Sequence, residues 1–166
     1  VALVAAAGNN GSAMISYPAA YPNVISVAAV DKNDRKTNFT SYGYSIDIAA
    51  PGENILSTVI PGLTWGCSDT SYPPNGDGYG ICSGTSMAAP IVAGVVGLIL
   101  SKNPLLTQDQ TFTLLHSIHD PINLVNQNDP YIGNGRVNSY KVLRYLEIPQ
   151  ALFSGSAHYA YIKSQQ

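Results

Sequence analysis

The chain has 166 residues, 45% hydrophobic and 11% charged, with a formal net charge of −2. That length and apolar content suit one domain with a sizeable core and exclude a disordered segment. The sparse charge, with no basic stripe, argues against nucleic-acid binding. The longest apolar run, residues 87–100, holds a proline and two glycines. It falls short of the roughly 20 residues of a membrane span and reads as a buried core helix.

Residues 1–7 read as a buried strand ending in the loop Gly8-Asn9-Asn10-Gly11. The chain opens at Val1 inside this apolar run, with no basic region before it, which is expected of a fragment or processed piece. Residues 23–30, rich in Val and Ile, form a second strand closed by Asp31-Lys32-Asn33-Asp34. Residues 45–50 form a third, stopped by Pro51-Gly52, and residues 55–59 a fourth. Residues 64–81 are a long loop or hairpin.

Residues 86–102 form the central helix. Pro90 fits there because the first helical N–H groups have no internal partner. Ala93, Gly94 and Gly97 expose its backbone, and the cost of the glycines in helix propensity predicts a closely packed neighbour. Residues 107–118 form a second helix. Thr107 and Gln110 have capping-box spacing, and Leu114, Leu115 and Ile118 make its apolar face. Residues 133–137 read as a turn, and 139–146 as a third helix with Val142, Leu143 and Leu146 inward. Residues 147–166 are expected to be a tail or linker. Strands with apolar rather than alternating faces, preceding helices, point to an α/β fold with a sheet covered on both sides.

Cys67 and Cys82 flank a stretch rich in Gly, Pro, Tyr and Asp that must turn back on itself. A disulfide closing it would contribute about 3 kcal/mol in the chain-entropy model. Two free thiols, as in a cytosolic protein, are the alternative. A metal site needs more ligands than this pair supplies.

The run Gly84-Thr85-Ser86-Met87-Ala88-Ala89-Pro90 places a hydroxyl at the first turn of the central helix. Backbone N–H groups point outward there and the helix dipole favours negative charge. Serine attack on a carbonyl needs that setting, because the attacked oxygen becomes an anion. At the end of the first strand, Asn9 in Ala5-Ala6-Ala7-Gly8-Asn9 offers an amide donor for the same oxyanion. Read alone, Gly-Asn is an ordinary turn.

Together these segments resemble subtilisin-like serine peptidases. The run around Ser86 resembles their nucleophile signature, and Ala-Ala-Gly-Asn their oxyanion motif. Tyr17-Pro18-Ala19-Ala20-Tyr21-Pro22-Asn23-Val24, Ala49-Ala50-Pro51-Gly52 and Gly133-Asn134-Gly135-Arg136-Val137-Asn138 also look like family segments. The resemblance covers residues 1–146 and corresponds to the C-terminal half of the family's catalytic domain. It implies a three-layer α/β fold with a mostly parallel sheet and a secreted or cell-envelope location. It implies a serine endopeptidase acting on polypeptide through an acyl-enzyme on Ser86, with Asn9 and the Ser86 N–H holding the oxyanion and Thr85 assisting. No cofactor is required for that chemistry.

In this family the triad's Asp and His lie upstream of the oxyanion asparagine, and no histidine precedes Ser86 here. The expectation is therefore a missing N-terminal segment that carries both, and a fragment inactive by itself. His116, His119 and His158 are the histidines present. The first two, three apart on the second helix, read as surface or capping residues; a base and a two-ligand metal site are the alternatives. The resemblance further implies that Ala6, Ala7 and Gly8 wall the pocket for the side chain before the cleaved bond, with Ser16 near its floor. Small walls leave room for a large apolar or aromatic side chain. It also implies that carbonyls of Ala19, Tyr21 and Val24 hold a calcium or sodium ion, for which oxygen ligands suit; a proline-braced turn is the plainer reading. A non-catalytic binding or scaffold relative is the rival function. A lipase-type hydrolase fits less well, because Ser86 lacks the Gly-x-Ser-x-Gly elbow.

Overall fold

The computed structural model describes residues 1–14, 16–60, 67–69, 78–122 and 131–147. His158, the tail beyond Glu147 and most of the expected loop at 64–81 lie outside them. A five-stranded sheet is built from β1 (Leu3–Ala6), β2 (Val24–Val30), β3 (Ile48–Pro51), β7 (His119–Asp120) and β8 (Arg136–Val137) in the order β1-β2-β3-β8-β7. All neighbours are parallel except the β7–β8 edge pair. A smaller antiparallel sheet has the order β4-β6-β5, from β4 (Ile55–Thr58), β5 (Cys67–Asp69) and β6 (Tyr79–Cys82).

β2 lies inside the sheet, between β1 and β3, and all seven of its residues are buried. A parallel strand covered on both faces reads as a continuous apolar run. Its alternate side chains enter two cores. Ile25, Val27 and Ala29 pack with Ile48 and with Ala88, Val92, Val95, Val96 and Ile99 of helix α1 (Thr85–Lys102). Ala28 and Val30 pack with Ile46, Ala49 and Ile132 on the other face. Truncating a fully buried side chain such as Ile99 to alanine costs about 2–5 kcal/mol in sites of this kind.

By length and composition α1 could cross a membrane. It lies instead on β1, β2, β3 and helix α3 (Ser139–Glu147), as a core helix. Its other face is open: Ala93, Gly94, Gly97 and Leu98 are exposed, and added Cβ atoms at Gly94 and Gly97 would meet nothing within 4 Å. The close neighbour expected there is not among the described residues.

Helix α2 (Gln108–Ser117) starts with the capping box foreseen. Gln110 N donates to Thr107 Oγ1 at 3.2 Å and Thr107 N donates to Gln110 Oε1 at 2.9 Å. Leu115 and Ile118 are buried and Leu114 is half-buried. In α3 the buried residues are Val142 and Tyr145, while Leu143 and Leu146 are half-buried. The stretch read as a turn at 133–137 contains β8, which is pinned by Asp120. That carboxylate accepts from Arg136, from Asn138 Nδ2 at 2.8 Å and lies 2.9 Å from Lys141 Nζ. Burial alone would raise its pKa, but these three donors together hold it below the usual carboxylate value.

Candidate active site

The start of α1 is held by the ends of three parallel strands. Gly52 N donates to Val30 O at 3.0 Å, and Gly84 N donates to Gly52 O at 2.7 Å. Nothing larger than glycine fits at 52, where a Cβ would lie 2.6 Å from Ala29 Cβ and 2.8 Å from Gly84 O. The turn that follows β3 is thus the seat on which Gly84 rests.

Thr85, 1% exposed, joins β1 to the helix. Its N–H and its hydroxyl both donate to Asn9 Oδ1, each at 2.9 Å, and Gly8 N donates to Thr85 Oγ1 at 3.2 Å. Two donors on one oxygen fix which way the carboxamide faces. Asn9 Nδ2 is left as a free donor among the described residues. Met87 N makes the first helical bond, to Gly84 O at 3.0 Å. Ser86 N, one residue earlier, has no helical acceptor, as expected in a first turn. A Cβ on Gly84 would lie 3.3 Å from Asn9 Nδ2 and 3.7 Å from Ser86 N. The two N–H groups therefore border one space, which glycine at 84 keeps empty. Ser86 is exposed beside it, and α1 has no acidic residue in its first turn to offset the positive end of its dipole.

The segment at Ala6, Ala7 and Gly8 meets Ser16, whose N–H donates to Ala7 O at 2.9 Å. The Ala7 methyl is fully buried in the core with Ala28 and Val30, so Ala7 offers only backbone to a ligand. Gly8 has φ 115°, and a Cβ there would be 2.6 Å from Ser16 Oγ and 3.0 Å from Ser41 Oγ. Ser41 was not singled out in the sequence. It is fully buried, its hydroxyl has no hydrogen-bond partner among the described residues, and its N–H donates to Gly8 O at 2.8 Å. A serine in a polar loop carries no sequence signal of such a position.

Of the described histidines, His116 lies at the opposite end of the parallel strands from Ser86. His116 Nε2 is 3.5 Å from Asp47 Oδ1, outside hydrogen-bond geometry, and Asn134 Nδ2 contacts its Nδ1. Asp47 precedes β3 and Gly52 follows it, five residues of extended chain or about 16 Å apart. His119 is in β7, at the far edge of the sheet order from β1. The structure does not bring either one to Ser86.

Ala19, Tyr21 and Val24 line one cleft of about 250 Å³ together with Ser45, Asp47 and Phe112. Tyr21 O also accepts Val24 N at 3.3 Å. Cys67 and Cys82 are joined by a disulfide across directly opposed positions of β5 and β6. The free-thiol alternative is thereby removed.

The strand-end asparagine is thus locked to the threonine that precedes an exposed serine at the helix start. The model of the subtilase family matches residues 1–135, and the chain belongs to that family. It is 39% identical over 143 residues to thermitase of Thermoactinomyces vulgaris, covering 86% of this chain and 44% of that protein. It is 40% identical over 137 residues to the halolysin-like extracellular serine protease Nep of Natrialba magadii, covering 82% of this chain and 22% of that one. Among solved structures, a lanthipeptide protease superposes with TM-score 0.73 at 23% identity, over 89% of this chain and 51% of that chain. The patellamide maturation protease PatA gives TM-score 0.68 at 33% identity, over 87% and 51%. The chain spans less than half the length of both curated relatives.

Proposed function

We propose that the chain supplies the nucleophile and oxyanion donors of a serine endopeptidase. Ser86 Oγ attacks the peptide carbonyl carbon as its proton passes to a base. The carbonyl oxygen, now anionic, sits between Asn9 Nδ2 and Ser86 N. The amine half leaves with a proton, and water then releases the acyl group from Ser86. The observation that carries this reading is the pair of Thr85 bonds to Asn9 Oδ1, which turns the amide donor toward the space beside Ser86 N. Thr85 is a positioning residue.

The base and its carboxylate partner belong to a segment outside these residues, since His116 lies at the other end of the sheet. The open face of α1 at Ala93, Gly94 and Gly97 is consistent with such a segment packing there. By itself the 166-residue chain is then inactive. Ala6, Gly8 and Ser16 line the site of the side chain before the cleaved bond. The carbonyls of Ala19, Tyr21 and Val24, near Asp47, would hold a calcium or sodium ion, whose contribution is structural. A secreted or cell-envelope location accords with the extracellular relative from Natrialba magadii.

The test is hydrolysis of a peptide p-nitroanilide by the full-length protein and its Ser86→Ala variant. Ser86-dependent turnover is expected. Absence of turnover from the unaltered protein would favour the binding or scaffold reading.

A further inference from the structure

The pairing of β1 with β2 ends at Ala6, opposite Val27, and Ala7 N donates once more, to Val27 O at 3.0 Å. Beyond that point residues 37–42 take over the same edge of β2. Thr37 N donates to Ala29 O at 3.2 Å, and Ala29 N donates to Thr40 Oγ1 at 3.0 Å. The Thr40 hydroxyl in turn donates to Ser41 O at 3.2 Å. Thr40 is fully buried, so no water competes for either bond. This segment then grips the loop that carries Asn9. Ser41 N donates to Gly8 O at 2.8 Å, Gly11 N donates to Phe39 O at 2.7 Å, and Tyr42 N donates to Ser12 O at 3.1 Å. Asn9 and Asn10 lie between the first two of these ties.

We propose that Thr40 is a positioning residue for the oxyanion donor, acting through Ser41 on the backbone of Gly8 and Asn9. The inference rests on the peptidase reading. The two Thr85 bonds set the direction of the Asn9 amide, but they do not set where its backbone lies. That place is set at Gly8. Its N–H donates to Thr85 Oγ1 at 3.2 Å, toward the helix, and its carbonyl accepts from Ser41 N, toward the strap. The residue before Asn9 is therefore held from both sides, and only the second hold depends on Thr40.

The hydroxyl is needed because it works as acceptor and donor at once. A side chain of the same shape without it leaves Ala29 N and Ser41 O unpaired in the interior, and a buried polar group without a partner is costly. The relief open to the strap is to turn Ser41 toward water, which draws Gly8 O with it and shifts Asn9 Nδ2 away from the space beside Ser86 N. Ser41 contributes its backbone only, since its own hydroxyl has no partner among the described residues.

The experiment measures kcat and KM of the full-length protein on a peptide p-nitroanilide, normalised to folded protein by calorimetry. In Thr40→Val, kcat should fall at least about tenfold, part of the roughly 10²-fold that a displacement of about 1 Å can cost. KM should stay within about twofold, because the donor acts mainly in the transition state. Thr40→Ser keeps the hydroxyl and Ser41→Ala keeps the backbone, so both should retain a near-normal kcat. On an Asn9→Ala background, Thr40→Val should cost little more, because no donor is left to place. A purely structural Thr40 would lower the melting temperature and leave kcat per folded molecule unchanged. If Thr40→Val does not fold, Gly11→Ala carries the test from the exposed loop. Its Cβ would lie 2.7 Å from Asn38 O at a φ of 59°, which forces the loop off the strap, and the same fall in kcat is expected. Normal kcat in folded Thr40→Val or in Gly11→Ala, an equal loss in Thr40→Ser, or a full further loss on the Asn9→Ala background would overturn the role of Thr40. Anilide hydrolysis that is absent from the unaltered protein, or that survives Ser86→Ala, would overturn the peptidase reading itself and this inference with it.

Discussion

Replacing Asn9 separates its two jobs, because each belongs to a different atom. Oδ1 accepts both Thr85 donors at 2.9 Å, while Nδ2 faces the space beside Ser86 N. Asn9→Asp keeps an oxygen for Thr85 and replaces the free donor by a second carboxylate oxygen. Its stability should match or exceed that of the unaltered protein, since a carboxylate at a helix N-terminus contributes about 0.3–1 kcal/mol. Its turnover should fall by at least about 10²–10³, the cost of one lost oxyanion donor, with added repulsion of the developing charge. Asn9→Ala removes both functions. It should show a similar loss of kcat and also lose about 1–2 kcal/mol of stability, from two hydrogen bonds to a threonine that is 1% exposed. KM should change little in either case, because the donor acts mainly in the transition state. The assay is kcat and KM on a peptide p-nitroanilide with the full-length protein, normalised to folded protein by calorimetry. Turnover within threefold of normal in folded Asn9→Asp would refute the reasoning.

Other expectations follow from neighbouring contacts. Gly84→Ala puts a methyl 3.3 Å from Asn9 Nδ2; kcat should drop at least tenfold by crowding the oxyanion space, and an unchanged kcat would mean that space is not used. Cys67 and Cys82 should yield no free thiol under denaturing, non-reducing conditions, and reduction should lower stability by about 3 kcal/mol for a bridge spanning 15 residues. Burial, with smaller pushes from Lys141 and the His116 ring, lowers the His119 pKa despite an opposing backbone hydrogen bond at His116 and the charge of Asp120. The folded state then binds fewer protons than the unfolded one below the ordinary histidine value near about 6.5, so stability present at pH 7 is lost as pH falls through that range. Melting temperature should decline from pH 7 toward pH 5, and the decline should be smaller in His119→Gln; equal slopes would contradict the lowered pKa of the half-buried His119 ring.

The sequence showed the parts whose physics is local. Val24, Ile25, Val27 and Val30 made β2 legible, and Thr107 with Gln110 announced the cap of α2. The two-residue strands β7 and β8 were not legible. His119-Asp120 has no apolar pattern, and its pairing with Arg136-Val137 depends on an ion pair between residues 16 apart. Tyr145 was passed over as an inward residue because tyrosine suits either surface or core. At the site, the motifs around Ser86 and Asn9 were readable, and the structure brings the two segments together at the start of α1. The hydrogen bonds that orient Asn9 join residues 76 apart, and the seat of Gly84 on Gly52 joins two backbones. Such contacts leave only a small residue in the sequence as their trace. Gly94 and Gly97 show the same limit from the other side: they signalled a close neighbour and could not say which.

If the Ser86 hydroxyl is the nucleophile, covalent labelling will find it there. The full-length protein is treated with phenylmethanesulfonyl fluoride, digested and mapped by mass spectrometry. A single stoichiometric sulfonyl adduct on Ser86 is expected, formed in step with loss of anilide hydrolysis and greatly slowed by unfolding. Complete inactivation with Ser86 unmodified, or equal labelling of exposed serines such as Ser83 and Ser101, would contradict it.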